Sequence, residues 1–201
     1  NYKFSHQNYF RNILLNFSSM DLEQTIFNNV FSFTSNTIYL INNENIIERR
    51  RLNIEIKTNN NLKTIDDAVS FFSIENEKLV ERYSNLKNIG LLLSSGNDSS
   101  MLAYYLSKKN LKITNFTLAF NEEYSGWDES KVARRYSNYL NQKHESLLFN
   151  YTDYEDGLKN SILFAGCIPI NESEITFFKL SKLIKSFDIE NILNADGVDW
   201  I

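Results

Sequence analysis

Leu92-Leu93-Ser94-Ser95-Gly96-Asn97-Asp98-Ser99-Ser100 is the stretch on which the fold turns. It leaves a short apolar run, Ile89 to Leu93, suited to a strand buried on both faces. It enters a segment of helical spacing, Ser99 to Lys109. Small side chains let backbone N–H groups approach an oxyanion, and a helix N-terminus adds roughly half a positive charge. Ser94, Ser99 and Ser100 supply hydroxyl donors. No lysine follows the glycine, so this is not the Walker-type loop with its Gly-Lys-Ser ending. Taken alone, the loop reads equally as a tight turn in which Asp98 or Ser99 caps the helix.

Outward from that loop the pattern alternates. Ile113 to Phe120, Ser146 to Phe149 and Ile189 to Leu193 read as strands. Helical spacing covers Ile65 to Leu86 in one or two segments, Asp128 to Leu140, the region of Tyr154, Leu158 and Ile162, and Ile175 to Phe187. Strands alternating with helices predict an α/β fold, a parallel sheet with helices on both faces. Ligands of such sheets bind beyond the carboxyl ends of the strands. The last strand ends there in Asn194-Ala195-Asp196-Gly197-Val198-Asp199. Asp-Gly alone is a turn signal. Two acid-bearing loops at the ends of neighbouring strands, however, converge on one edge. Asp98 and Asp199 are then placed to hold Mg²⁺ against phosphate oxygens, because hard cations take oxygen ligands.

Residues 1–64 look different. Thr37-Ile38-Tyr39-Leu40-Ile41 and Asn53-Ile54-Glu55-Ile56-Lys57 are β-type runs, and Asn42-Asn43-Glu44-Asn45 suits a hairpin. Thr58 to Lys63 is the candidate linker to residues 65–201, and Arg49-Arg50-Arg51 reads as a solvated basic run. The chain starts at Asn1 and ends at Ile201 without a tail, as a piece of something longer would.

Composition narrows the function classes. Hydrophobic residues make up 42% and charged residues 23% of 201, the balance of a globular protein. No run of Leu, Ile or Val exceeds the length of Leu91-Leu92-Leu93, so no membrane partner is expected. No signal-peptide pattern opens the chain, and Cys167 is the single cysteine, which suits a reducing, cytoplasmic setting. A net charge of −4 disfavours a dedicated nucleic-acid binder.

Leu93-Ser94-Ser95-Gly96-Asn97-Asp98-Ser99-Ser100 resembles the Ser-Gly-Gly-x-Asp-Ser-Ser loop of the ATP pyrophosphatases, the PP-loop (adenine nucleotide α-hydrolase) fold. Further pieces resemble the synthetase domain of glutamine-dependent asparagine synthetases. Phe116-Thr117-Leu118-Ala119-Phe120 is similar to its second strand, and Asp128-Glu129-Ser130-Lys131-Val132-Ala133 to its Asp-Glu-x-x-x-Ala helix start. His144 falls where the family often has a histidine, and Asp196-Gly197-Val198-Asp199 resembles its Gly-(Asp/Glu)-Gly-x-Asp-Glu loop. The resemblance covers residues 65–201 and is incomplete at the C-terminus. Residues 1–64, above all Thr25 to Leu40, are loosely similar to the last strands of the family's N-terminal glutaminase domain. That domain uses an N-terminal cysteine, where this chain has Asn1; Cys167 reads as core packing. Other departures are Ser95 for the first glycine of the pair, Trp200 for a glutamate, and Gly166-Cys167-Ile168 for the acidic pair before Pro169. The family's phosphate-binding lysine would lie beyond Ile201.

The resemblance implies an ATP-dependent amide-forming ligase. ATP adenylates a carboxylate such as that of aspartate, pyrophosphate leaves, and ammonia, free or from glutamine, attacks the acyl-adenylate. It further implies that Ser94, Ser95, Gly96, Ser99 and Ser100 cradle pyrophosphate and that Leu92 and Leu118 flank adenine. Gly197 joins the nucleotide-binding residues, Asp98 and Asp199 hold Mg²⁺, and Asp196 serves proton transfer near the acyl or amine site. Two alternatives stay open: another adenylating synthetase that forms lactams or cyclises peptides, and a non-catalytic nucleotide-binding homologue. The oligomeric state is open too, and a homodimer fits.

Overall fold

Ile89–Leu92 and Ile113–Phe120 carry apolar residues on both faces, which need cover above and below, and a central parallel pair supplies it. The computed structural model describes residues 3–14, 25, 27–34, 36–43, 45–53, 62–109, 111–120, 126, 128–165 and 172–196. The chain forms two units, Asn1–Asn60 and Asn61–Ile201.

The second unit is a four-stranded parallel sheet. In chain order its elements are α2 (Ile65–Glu81), β3 (Ile89–Leu92), α3 (Asn97–Lys108), β4 (Ile113–Phe120), α4 (Ser130–Tyr139), β5 (Lys143–Phe149), α5 (Tyr151–Ala165), α6 (Glu172–Lys185) and β6 (Asn191–Leu193). The strand order is β5-β4-β3-β6. Leu92 pairs with Phe116, and Leu91 with Leu193. The chain therefore winds outward from β3 through β4 to β5, then returns to the other side of β3. That reversal opens a crevice at the carboxyl end of β3.

One face of the sheet buries Ile89, Leu91, Leu93 and Ile113 against Val80, Ala103, Leu106 and Ala133 of α2, α3 and α4. The opposite face packs Leu92, Phe116, Leu118 and Leu147 against Leu180 and Ile184 of α6. Phe116 is fully buried, which contributes about 1.5–3 kcal/mol. A polar cross-link is embedded in the first face. The buried Asn115 side chain donates to Ser137 Oγ and to Gln142 Oε1, each at 2.9 Å, and Gln142 donates to the Ala103 carbonyl at 3.2 Å. Burying these amides without partners would cost roughly 1–3 kcal/mol each, so the network fixes α3 and α4 in register with β4.

Caps follow sequence rules. Thr64 and Asp67 form a reciprocal capping box, at 3.1 and 2.9 Å, and start α2 as one continuous helix. Asn141 (φ 53°) ends α4 in the left-handed conformation that asparagine tolerates. On the other face, α5 and α6 approach so closely at Gly157 that an added Cβ would lie 2.5 Å from the Ile175 carbonyl oxygen.

The first unit holds α1 (His6–Leu14) and an antiparallel hairpin of β1 (Thr37–Asn42) and β2 (Asn45–Arg51). Asn42 pairs with Asn45 across the turn. Sequence reading does not foresee α1: it carries no acidic residue in its first turn, and its Asn and aromatic residues are weak helix formers. Arg49, Arg50 and Arg51 lie exposed within β2, with the Arg49 guanidinium 5.6 Å from the centre of the Tyr39 ring. Residues 54–57 of the second predicted strand and 58–61 of the candidate linker lie outside the described residues. No helix among the described residues is long and apolar enough to cross a membrane.

Candidate active site

The loop after β3 is braced from below. The Leu93 N–H continues the ladder to the Phe116 carbonyl at 2.9 Å, and the Thr117 hydroxyl donates to the Leu93 carbonyl at 2.6 Å. That hydroxyl has spent its proton, so it accepts from His144, whose Nε2 lies 3.1 Å away. His144 Nδ1 is buried and has no hydrogen-bond partner among the described residues. Burial, and then the Arg134 charge, push the imidazole pKa below its ordinary value and favour the neutral ring.

Within the loop the backbone donors converge on oxygen acceptors. Ser94 N–H donates to Ser99 Oγ and Gly96 N–H to Ser94 Oγ, each at 3.1 Å. Ser95 N–H donates to Glu129 Oε2 at 3.2 Å. The hydroxyls of Ser94 and Ser99 lie 2.8 Å apart. Gly96 is the N-cap of α3, in extended conformation and without a side-chain cap bond. Asp98 and Ser99 therefore sit inside the first turn, and neither is the cap. A loop this rich in small donors can rotate its hydroxyls to give hydrogen bonds to an anion.

The crevice is a cleft of about 410 Å³. Leu92, Ser94, Gly96, Asp98, Ser99, Leu118 and Asp196 all line it, contributed by β3, β4, the loop after β3, the first turn of α3 and the loop after β6. Ser95 and Ser100 do not line it. Ser95 is exposed at the apex of the loop, and Ser100 is half-buried in the first turn of α3, its backbone carbonyl accepting from the Tyr136 hydroxyl of α4 at 3.1 Å. Gly197, Asp199, Trp200 and residues 166–169 lie outside the described residues.

Sequence reading leaves several lining residues unassigned. Thr117, Phe120 and Glu129 line the cleft, and α6 adds Ser173, Thr176 and Phe177. Glu129 stands in the Asp-Glu pair already visible before α4; α6 carries no motif that marks it.

The family profile described as Asparagine synthase matches residues 78–201, which begin within α2. The chain belongs to the asparagine synthase family. No curated protein matches the sequence. Among solved structures it is similar to a predicted subunit of a tRNA methyltransferase from Methanocaldococcus jannaschii (20% identity, 56% of this chain, 56% of that chain, TM-score 0.38). NMN synthetase from Francisella tularensis (18% identity, 58% and 51%, TM-score 0.41) is another. A third is the U34-tRNA thiolase NcsA from Methanococcus maripaludis (16% identity, 65% and 47%, TM-score 0.46). This chain spans about half the length of each.

The asparagine synthase match spans every element that lines the cleft. Among the family departures, Ser95 is the one the described residues display, and it uses its side chain: the hydroxyl donates to Glu129 Oε1 at 2.9 Å. The acidic side chains of Asp98, Glu129 and Asp196 offer oxygen ligands of the kind Mg²⁺ takes. Among the described residues, no group of three or more His, Cys, Asp or Glu side chains is placed to hold a metal alone. A cation bound here would draw ligands from phosphate as well as from Asp98.

Proposed function

We propose that this chain is the ATP-binding part of an amide-forming ligase of the asparagine synthetase type. The observation that carries the reading is the convergence of Ser94, Gly96, Asp98, Ser99 and Asp196, from the β3–α3 junction and the loop after β6, on one cleft at the carboxyl edge of the sheet. ATP lies with its adenine between Leu92 and Leu118 and its phosphates on residues 94–100. Ser95 and Ser100 then contribute from the apex and back of the loop. Asp98 and Asp199 hold Mg²⁺, which offsets charge building on the leaving pyrophosphate. Asp196 faces the acyl or amine site. Aspartate is the carboxylate substrate, and ammonia is the nitrogen nucleophile. Residues 1–64 are the remnant of a glutaminase-like domain, and residues 65–201 are the synthetase domain.

Isothermal titration with Mg·ATP followed by a pyrophosphate-release assay tests this. Binding is expected, with release that requires aspartate and that turns over when ammonia is present. Release with a different carboxylate would move the chain to another adenylating synthetase. Binding without release from any amino-acid carboxylate would make it a non-catalytic homologue.

A further inference from the structure

Glu129 stands directly before α4, where a side chain commonly turns back onto its own helix. It does not do so here. Asp128 caps that helix start instead. Its Oδ1 accepts from the Ser130 N–H at 3.0 Å, and hydrogen bonding by Ser130 holds its carboxyl below the usual range. Glu129 can therefore reach the loop after β3. Its two carboxylate oxygens accept from the hydroxyl and the N–H of Ser95, at 2.9 and 3.2 Å.

The three loop amides are therefore not equivalent. Those of Ser94 and Gly96 donate to serine hydroxyls, which keep a proton of their own and can turn it toward an anion. The amide of Ser95 donates to a full negative charge that has no proton to offer. A helix N-terminus favours that charge for the same reason that it favours phosphate. Glycine at position 95 would keep the N–H but lose the hydroxyl, so the serine adds a second charge-assisted bond to the carboxylate.

We propose that Glu129 is an internal anion in the phosphate subsite, held there by Ser95, which a bound phosphate chain must displace. It lowers affinity for metal-free phosphates most, because a divalent cation screens the carboxylate from its competitor. Both residues are exposed, so the displaced side chain has solvent to enter. The inference rests on the nucleotide-binding reading of the cleft.

The test is titration of inorganic pyrophosphate, metal-free ATP and Mg·ATP into the intact chain, Glu129→Gln and Ser95→Gly. Glu129→Gln keeps an oxygen acceptor for Ser95 and removes the charge. It should bind metal-free pyrophosphate about tenfold tighter than the unchanged chain, equivalent to about 1.4 kcal/mol. The gain should shrink with Mg²⁺. Ser95→Gly should show a smaller gain in the same direction, and it carries the test if Glu129→Gln does not fold. If the unchanged chain binds ATP but neither variant binds pyrophosphate more tightly, this inference falls alone. If no variant binds ATP or pyrophosphate under any condition, the nucleotide-binding reading falls with it.

Discussion

Leu91 in β3 and Leu193 in β6 lie side by side as parallel partners, although a long stretch of chain separates them. Their pairing sends the loops of Asp98 and Asp196 out of the same edge of the sheet, on either side of the point where the winding reverses. The proposed pyrophosphate chemistry needs that geometry. Preorganised donors must face the place where charge builds, and rigid strands hold donors better than free loops do.

On the proposed Mg²⁺ site, Asp98→Asn and Asp199→Asn should each weaken Mg·ATP binding, because each replaces a charged ligand oxygen with a neutral one. Asp98 is not the cap of α3, so its loss should cost only the charge–dipole interaction of the first turn, about 0.3–1 kcal/mol. Titration beside a thermal melt separates the effects. Unchanged nucleotide affinity in both variants would refute the metal assignment.

Much of this was legible in the sequence. Ile113–Phe120 is a strand at the bounds its apolar pattern predicts, since a buried parallel strand must be apolar on both faces. The strand at β5 begins earlier than predicted, at Lys143. Its first residues, Lys143, His144 and Glu145, are polar and conceal it, and His144 is accommodated only because Thr117 offers it a partner. The cleft was legible on its loop side, where the donor-rich Ser-Ser-Gly stretch follows a strand. Its α6 wall was not, because Ser173, Thr176 and Phe177 line it only through tertiary packing. Glu129 was hidden for a related reason: Asp128 and Glu129 look interchangeable as helix-start acids until one is seen capping and the other reaching Ser95.

Gly157→Ala should destabilise the second unit, although alanine is the better helix former by about 1 kcal/mol. The new Cβ would meet backbone, the Ile175 carbonyl oxygen at 2.5 Å, and backbone cannot rotate away as a side-chain tip does. Overpacking of this kind costs about 1–3 kcal/mol, so a net loss is expected in a urea titration. A gain in stability would show that α5 and α6 pack more loosely than this.

His144 should make stability rise with pH in a defined window. Its folded pKa is depressed, chiefly by burial and then by the Arg134 charge. The unfolded ring keeps its ordinary value of ~6.5. Below that value the unfolded chain takes up a proton that the folded chain refuses, so the unfolded state gains. The contribution is fully present above the unfolded pKa and is lost as pH falls from there through the folded one. His144→Gln retains a side-chain N–H for Thr117 and has no titration in this range, so it isolates the effect. Thermal melts at about pH 7.5 and about pH 5.5 should show a larger drop for the unchanged chain than for the variant. Equal drops would mean that the imidazole is solvated in the folded protein, and that the Leu93–Thr117–His144 brace beneath the loop after β3 does not hold it neutral.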